Sequence, residues 1–437
     1  MTPMDRAIAL ALSFAILLLS VQQGISIFYP LLVVLALMTG VYWRRGVPLR
    51  HLWRLMKRGM GQSAGVIRIL LLIGLVVASW LMAGTVPALV YYGLQLIQPQ
   101  WFLVSAFLLT GVVSVLLGTS FGSAGTIGLA LMIMARGAGV DEHWAAGAII
   151  SGAYIGDRCS PMSSSAHLVA TVTATDIYQN LRQMVATGWG ALICSIAIYT
   201  AASLRHPLST LDNPIIAQLP PTFWIHPLTL LPAGVLVVLT LLRVPVQGTL
   251  AISLVSAIAL AIGVQAQSPQ AVLHTLLVGF QLPNDNPLSD IFQGGGALMM
   301  GQVCAVVAVS TALAGLLSGL GTFTPLTQKL ARWPGKRGLF GGIVVTGALT
   351  SAFGCTQTIA ILLTQKIALP HYRQAHPEQL AVDIENSAVV LAPLVPWNIA
   401  GLVPATVLLT DSGWIPYVVY LYLLPLLNWL LRPGLTH

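Results

Sequence analysis

Residues 143–172 read HWAAGAIISGAYIGDRCSPMSSSAHLVATV, an apolar stretch with an aspartate, an arginine and a serine–proline step in its interior. A helix needs about 20 apolar residues to cross the hydrocarbon core of a bilayer. Started at His143, such a helix places Asp157 about fifteen residues in, and Pro161 then removes a backbone donor and breaks it. An ionisable group at that depth costs about 2.5–3.5 kcal/mol on insertion scales, so it needs a partner or a purpose. The freed backbone groups cannot face lipid and must line a cavity or be covered by protein. Ser160, Ser163, Ser164 and Ser165 crowd hydroxyls around the same break. A membrane span interrupted around a carboxylate is the first expectation.

The rest of the chain extends that reading. It has 437 residues, 56% of them apolar and only 7% charged, with a mean hydropathy of +0.85. A soluble domain carries about a quarter charged residues. This composition excludes a soluble enzyme, a disordered chain and an ordinary nucleic-acid binder. The net charge of +8 is local: Arg44, Arg45, Arg50, Arg54, Lys57 and Arg58 form one cluster, and Lys329, Arg332, Lys336 and Arg337 another. Both lie between apolar spans, where Lys and Arg mark cytoplasmic loops. The four cysteines, Cys159, Cys194, Cys304 and Cys355, form no C-x-x-C pair and suit neither a disulfide framework nor a zinc knuckle. No A-x-A-like site follows the first apolar segment, so it reads as a retained helix.

Candidate spans fall near 5–22, 25–42, 66–92, 101–117, 119–136, 143–172 and 183–204. A second set falls near 227–243, 247–263, 297–320, 338–353, 355–369, 380–411 and 415–431. The fold class is therefore an all-α polytopic membrane protein of about 12–14 transmembrane helices, some broken or re-entrant. A polar loop at 205–226, with Arg205, His206 and Asp212, separates an N-terminal half, 1–204, from a C-terminal half, 227–437. Placing the basic loop 43–58 inside puts both termini in the cytoplasm, 264–296 outside and 321–337 inside, as the positive-inside rule asks. Corresponding loops of the two halves then face opposite sides, which is the mark of an inverted-topology repeat. G-T-S-F-G-S-A-G-T at 118–126 is answered by F-G-C-T-Q-T at 353–358, and S-P-M-S-S-S at 160–165 by A-P-L-V-P-W-N at 392–398. Broken helices at matching places in two halves point to a substrate site at the midplane and to a secondary transporter.

Asp157 is the leading candidate, as a cation ligand or proton carrier; the structural alternative is a pair with Arg158. Ser160, Ser163 and Ser164 offer hard oxygen donors, or satisfy the backbone around Pro161. His167 either carries protons or is hydrogen-bonded within the bundle. In the second half Glu385 and Asn386 precede the break at Pro393 and Pro396, with Trp397 and Asn398 inside it. Thr356, Gln357 and Thr358 are polar within an apolar span and complete the cavity. The string G-T-S-F-G at 118–122 imitates a nucleophile elbow, but that elbow needs a strand–turn–helix and none is expected here. A channel is a further alternative, which would conduct without obligatory exchange.

G-A-I-I-S-G-A-Y-I-G-D-R-C-S-P-M-S at 147–163 resembles the NhaC-type sodium/proton antiporter family, within the wider ion-transporter superfamily. G-T-S-F-G-S-A-G-T-I-G at 118–128, T-D-I-Y-Q-N-L-R-Q-M at 175–184 and I-E-N-S-A-V-V-L-A-P-L-V-P-W-N at 384–398 are similar to the same family, and the likeness runs from about 60 to 430. It implies paired hairpins, broken helices and an ion site between the halves, with Asp157, Ser160, Ser163, Glu385 and Asn398 keeping the family's residue types. Ser164 stands where such proteins usually have Asp, Ala166 and His167 replace a Thr and an Asn, and Asn386 replaces a further Asp. A site short of two carboxylates should hold Na⁺ less tightly, or hold a different solute.

The expectation is a multi-pass protein of a bacterial-type inner membrane that exchanges Na⁺ for H⁺ by competition at Asp157. Ser160, Ser163 and Asn398 would be the neutral Na⁺ ligands. The alternative is proton- or sodium-coupled transport of a small organic solute, a carboxylate or amino acid, with Ser164, His167 and Trp397 as contacts. The expected partners are the lipid bilayer and the transported solute, not nucleic acid, and a homodimer is left open. No cofactor beyond the transported ions is called for.

Overall fold

The computed structural model describes residues 3–205, 214–320, 335–372 and 377–431. His206, Asp212, Lys329, Arg332, His376 and Arg432 lie outside them, as do 206–213 of the first expected loop and 321–334 of the loop 321–337. The described chain is helical throughout; its β-structure is limited to an isolated bridge between Phe280 and Gly294. Each expected apolar segment is found as helix, and the chain is an all-α, multi-pass membrane protein. By length and composition five described helices can cross a membrane, six with the bent pair Pro377–Leu394 and Ile399–Val407. Further apolar helices of 10–17 residues accompany them.

Three local differences have plain causes. The basic stretch expected as a loop is largely the helix Leu49–Gln62. Leu52 and Gly59 face inward while Arg50, Arg54, Lys57 and Arg58 are exposed, a pattern suited to lying along a charged membrane surface. The single span expected at 66–92 is two helices, Ala64–Met82 and Thr85–Leu96, turned at Gly84 in the left-handed region. The loops expected at 205–226 and 264–296 carry the short helices Pro214–Thr222 and Pro269–Val278.

Two helical hairpins and two broken helices position the centre. The first hairpin descends as Phe102–Leu117, turns at Gly118–Thr119 and returns over 120–137. Gly118 is left-handed, and a Cβ there would sit 2.5 Å from the Met162 carbonyl carbon, so only glycine fits. Thr119 is extended, and its Oγ1 accepts from the Gly122 N–H at 3.4 Å. The second hairpin, Gly335–Gly354 and Gln357–Ala368, repeats the device: Cys355 is left-handed, and Thr356 caps Ile359 N–H at 3.1 Å.

The first broken helix runs Glu142–Cys159, is interrupted at Ser160–Ser163 and resumes as Ser164–Thr173. The second runs Pro377–Leu394, bends by 54° and resumes as Ile399–Val407. They run in opposite directions. Arg136, just before the first, donates to the Leu408 and Leu409 carbonyls at the end of the second, at 2.9 and 2.7 Å. At the other end Val169 clusters with Leu380 and Ala381. Phe102–Leu117 lies so close to Glu142–Cys159 that Gly152 and Gly156 meet the opposing backbone directly.

Candidate functional site

The turns of both hairpins and both helix breaks converge on a cavity of about 130 Å³. Asp157, 5% exposed, supplies its carboxylate. Thr119, Ser120 and Phe121 come from the first turn, Thr356, Gln357 and Thr358 from the second, and Ser164 and Ile399–Ala400 from the resumed helices. Ser63 and Thr311, from two neighbouring helices, close the ring and lie within 3.3 Å of each other, hydroxyl to hydroxyl.

Asp157 is held from both halves of the chain. The Ser120 N–H donates to Oδ1 at 3.3 Å and the Gln357 amide to Oδ2 at 2.9 Å. Ser165 Oγ donates to the Asp157 backbone carbonyl at 2.6 Å and lies 3.4 Å from Oδ2. Ser120 and Gln357 open helices, whose N-termini carry partial positive charge and favour a carboxylate beside them. The cavity thus presents one carboxylate with hydroxyl, amide and backbone oxygens, and among the described residues no Lys, Arg or His lines it. Among the described residues no three His, Cys, Asp or Glu side chains gather as metal ligands. Such a set is hard and weakly charged, and suits an alkali cation with its waters, or a proton.

The other sequence candidates divide. Ser164 and Thr356 line the cavity with Asp157. Ser160, Ser163 and Asn398 are fully buried but occupied by the breaks. Ser160 Oγ accepts from Met162 N–H at 3.1 Å, Ser163 Oγ from Ala166 N–H at 3.2 Å, and Asn398 Oδ1 from Ala400 N–H at 3.0 Å. Ser163 also donates to the Asp157 carbonyl, and the Asn398 amide to Ser351 O at 2.8 Å. They shape the walls rather than line them. His167 is exposed, with Nε2 2.9 Å from Pro161 O. Trp397 is packing, donating to Ala352 O at 2.7 Å with its ring edge-on to Phe14. Glu385 is fully buried, and among the described residues neither of its carboxyl oxygens has a hydrogen-bond partner.

Arg158 does not pair with Asp157. Fully buried, it turns the other way: Nε donates to Asn386 Oδ1 at 3.0 Å, and Nη2 to Met184 O at 2.8 Å and Thr187 Oγ1 at 3.0 Å. Asn386 continues to Asn428 at 3.2 Å. This network ties the end of the Glu142–Cys159 helix to three others and leaves Asp157 free to face the cavity. Sequence reading did not single out Ser63, Ser120 or Thr311 as cavity residues. A lone hydroxyl in an apolar helix carries no mark of which way it points.

Comparison with known proteins agrees with the geometry. The model of the Na⁺/H⁺ antiporter family matches residues 152–431, which include Asp157, the second hairpin and the second broken helix. The chain is 30% identical over 413 residues to the Na⁺/H⁺ antiporter NhaC of Alkalihalophilus pseudofirmus, covering 91% of this chain and 88% of that one. It is 26% identical over 421 residues to the malate-2H⁺/Na⁺-lactate antiporter of Bacillus subtilis, covering 94% and 89%. It is 27% identical over 426 residues to the arginine/ornithine antiporter ArcD of Halobacterium salinarum, covering 93% and 86%. These relatives are membrane transporters rather than enzymes, and with a matched region that spans most of its length this chain belongs to the Na⁺/H⁺ antiporter family.

Proposed function

We propose that the protein is a Na⁺/H⁺ antiporter in which Na⁺ and H⁺ compete for Asp157. The observation that carries this reading is the Asp157 carboxylate at the wall of a cavity built from both hairpin turns and both helix breaks. A carboxylate holds either a proton or a cation. Alternating exposure of one such site to the two sides couples the two fluxes without both ions being bound together. The cation ligands are the Asp157 carboxylate and the oxygens of Ser164, Thr356 and the hairpin turns, with Ser160, Ser163 and Asn398 fixing the breaks that place them. The two halves are read as inverted repeats, and both termini as cytoplasmic, from the basic clusters.

An organic anion is the poorer fit, because among the described residues no cationic side chain lines the cavity to receive it. The test is proton flux in proteoliposomes loaded with a pH dye, with Na⁺, K⁺ and Li⁺ pulses added in turn. A pH gradient should collapse on addition of an alkali cation, and Asp157→Asn should abolish the response. Exchange at the wild-type rate in Asp157→Asn would make the carboxylate structural. Wild-type vesicles silent to every alkali cation but responsive to a carboxylate or amino acid would move the assignment to that solute.

A further inference from the structure

A second, larger cavity of about 790 Å³ opens near the Asp157 site. Its walls are the Gly24–Tyr29 turn, one face of the Ala297–Gly319 helix, Pro396 at the second helix break, and Thr406 and Asp411 at the far end of the resumed helix. Ser26, Gln302, Thr406, Asp411 and Ser412 place polar groups among its largely apolar walls, and among the described residues Asp411 is the only charged side chain lining it. Turns and an exposed carboxylate place its mouth at a water-facing end of the molecule. The Asp157 cavity has no lining residue in common with it.

What separates the two is aliphatic. Leu70, Val303, Val307, Ile399 and Val403 form one buried cluster, each no more than 5% exposed, with Val66 and Phe121 against it. Val303 lines the large cavity and Val307, four residues on, lines the small one. On the facing element Ile399 lines the small cavity and Leu402 the large one. Four residues of helix rise about 6 Å, so the partition is about one turn thick. Its five core side chains carry no polar atom to offer a hydrated ion, and an apolar constriction of this kind blocks ions by excluding water.

We infer that the large cavity is the vestibule through which the transported ion reaches Asp157, and that Val303, Val307, Ile399 and Val403 are its closed gate. The inference rests on the Asp157 cavity being the exchange site. The moving part is the Ile399–Val407 helix. It carries Ile399 and Val403 into the gate and starts at a 54° bend beside Pro396; the Ile399 N–H to Cys355 O at 3.0 Å and the Tyr154 hydroxyl to Ala400 O at 2.6 Å fix this hinge end, and a second polar clasp holds its far end. There Arg136 holds the Leu408 and Leu409 carbonyls, and His143 Nε2 meets Asp411 Oδ1 at 2.8 Å. Swinging this helix about the bend withdraws two of the four aliphatic side chains while the Ala297–Gly319 helix keeps the other two in place.

Thiol accessibility in proteoliposomes tests the gate without reference to which ion moves. Thr406→Cys lies in the vestibule and Thr358→Cys in the inner cavity. A membrane-impermeant methanethiosulfonate is applied on the vestibule side, with the wild-type protein and its four cysteines as background. Thr406→Cys should label at least tenfold faster than Thr358→Cys. Adding Val307→Ala and Ile399→Ala should speed labelling of Thr358→Cys at least fivefold and leave Thr406→Cys unchanged. Full modification of Thr406→Cys should also stop flux. Equal labelling rates with the gate intact would overturn the inference. So would an unchanged Thr358→Cys rate in a gate variant that melts like its parent, or full flux through a completely modified Thr406→Cys protein. If the labelling pattern holds but no alkali cation drives proton flux, the gate stands and the Na⁺/H⁺ assignment falls.

Discussion

Gly156→Ala is the sharpest test of how Asp157 is placed. A Cβ at residue 156 would lie 1.9 Å from the Ser114 carbonyl carbon, 2.1 Å from its oxygen and 2.2 Å from the Val115 nitrogen. All three are backbone atoms, so no rotamer change relieves the clash. Moving from 1.9 Å to the 3.4 Å where ordinary contact begins requires the two helices to part by about 1.5 Å. Asp157 is the next residue and moves with the backbone. Its 3.3 Å bond from the Ser120 N–H, which belongs to the opposing hairpin, is then lost, as is the Ser114–Ala153 hydrogen bond. Overpacking costs about 1–3 kcal/mol, and a hydrogen bond to a charged group about 1.5–3 kcal/mol. Each 1.4 kcal/mol is about a factor of ten. The expected outcome is a clearly lowered melting temperature in detergent and a fall of about tenfold or more in the initial rate of Na⁺-driven pH collapse. Two controls set the scale. Gly40→Ala meets nothing within 4 Å, and Gly190→Ala meets only Leu427 Cδ1 at 3.6 Å. Both should be neutral or stabilised by up to about 1 kcal/mol, the ordinary gain of alanine over glycine in a helix. A Gly156→Ala protein that melts and exchanges like Gly40→Ala would refute the close approach of these helices and the placement of Asp157 that depends on it.

Three further outcomes follow from the same geometry. Ser164→Asp adds a second carboxylate to the cavity wall; two unit charges about 5 Å apart interact by about 3 kcal/mol at an effective dielectric of 20. The Na⁺ concentration for half-maximal exchange should therefore fall by up to roughly a hundredfold, and an unchanged value would remove Ser164 from the site. Arg158→Lys replaces a planar five-donor group by a point charge and strands acceptors among Met184 O, Thr187 and Asn386. Each stranded group costs about 1–3 kcal/mol, so the detergent melting temperature should drop; equal melting would show the network to be dispensable. The Gly413 N–H, and after it His143, hold the Asp411 carboxyl below its usual 3.8. A depressed native value stabilises the fold above pH 3.8 and loses that stabilisation as the pH falls through the native value. Asp411→Ala should accordingly melt slightly below wild type at pH 7, by about 0.5 kcal/mol for so exposed a pair. The gap should close in acid, and one independent of pH would contradict the assignment.

The amino-acid sequence by itself determined that this is a helical membrane protein, that two of its helices break at prolines and that Asp157 sits deep within one of them. The reasons are local ones: too few charges to cover a soluble surface, Pro161 and Pro396 where no helix can continue, and Asp157 too far from either end of its segment for water. The helical character of 49–62 was also written there, as Leu52 and Gly59 against Arg50, Arg54 and Arg58, but so basic a stretch reads first as a loop. Only the tertiary structure decided which polar groups face the cavity. Ser160, Ser163 and Asn398 stand in the motifs yet are taken up by the backbone they adjoin, because in lipid a freed N–H claims the nearest acceptor. Ser63, Ser120 and Thr311 look like packing hydroxyls and line the site instead. Asp157 and Arg158 are adjacent in the chain, but a helix turns about 100° per residue. The structure therefore sends one to the cavity and the other to Asn386, and that division depends on helices brought together from distant parts of the chain.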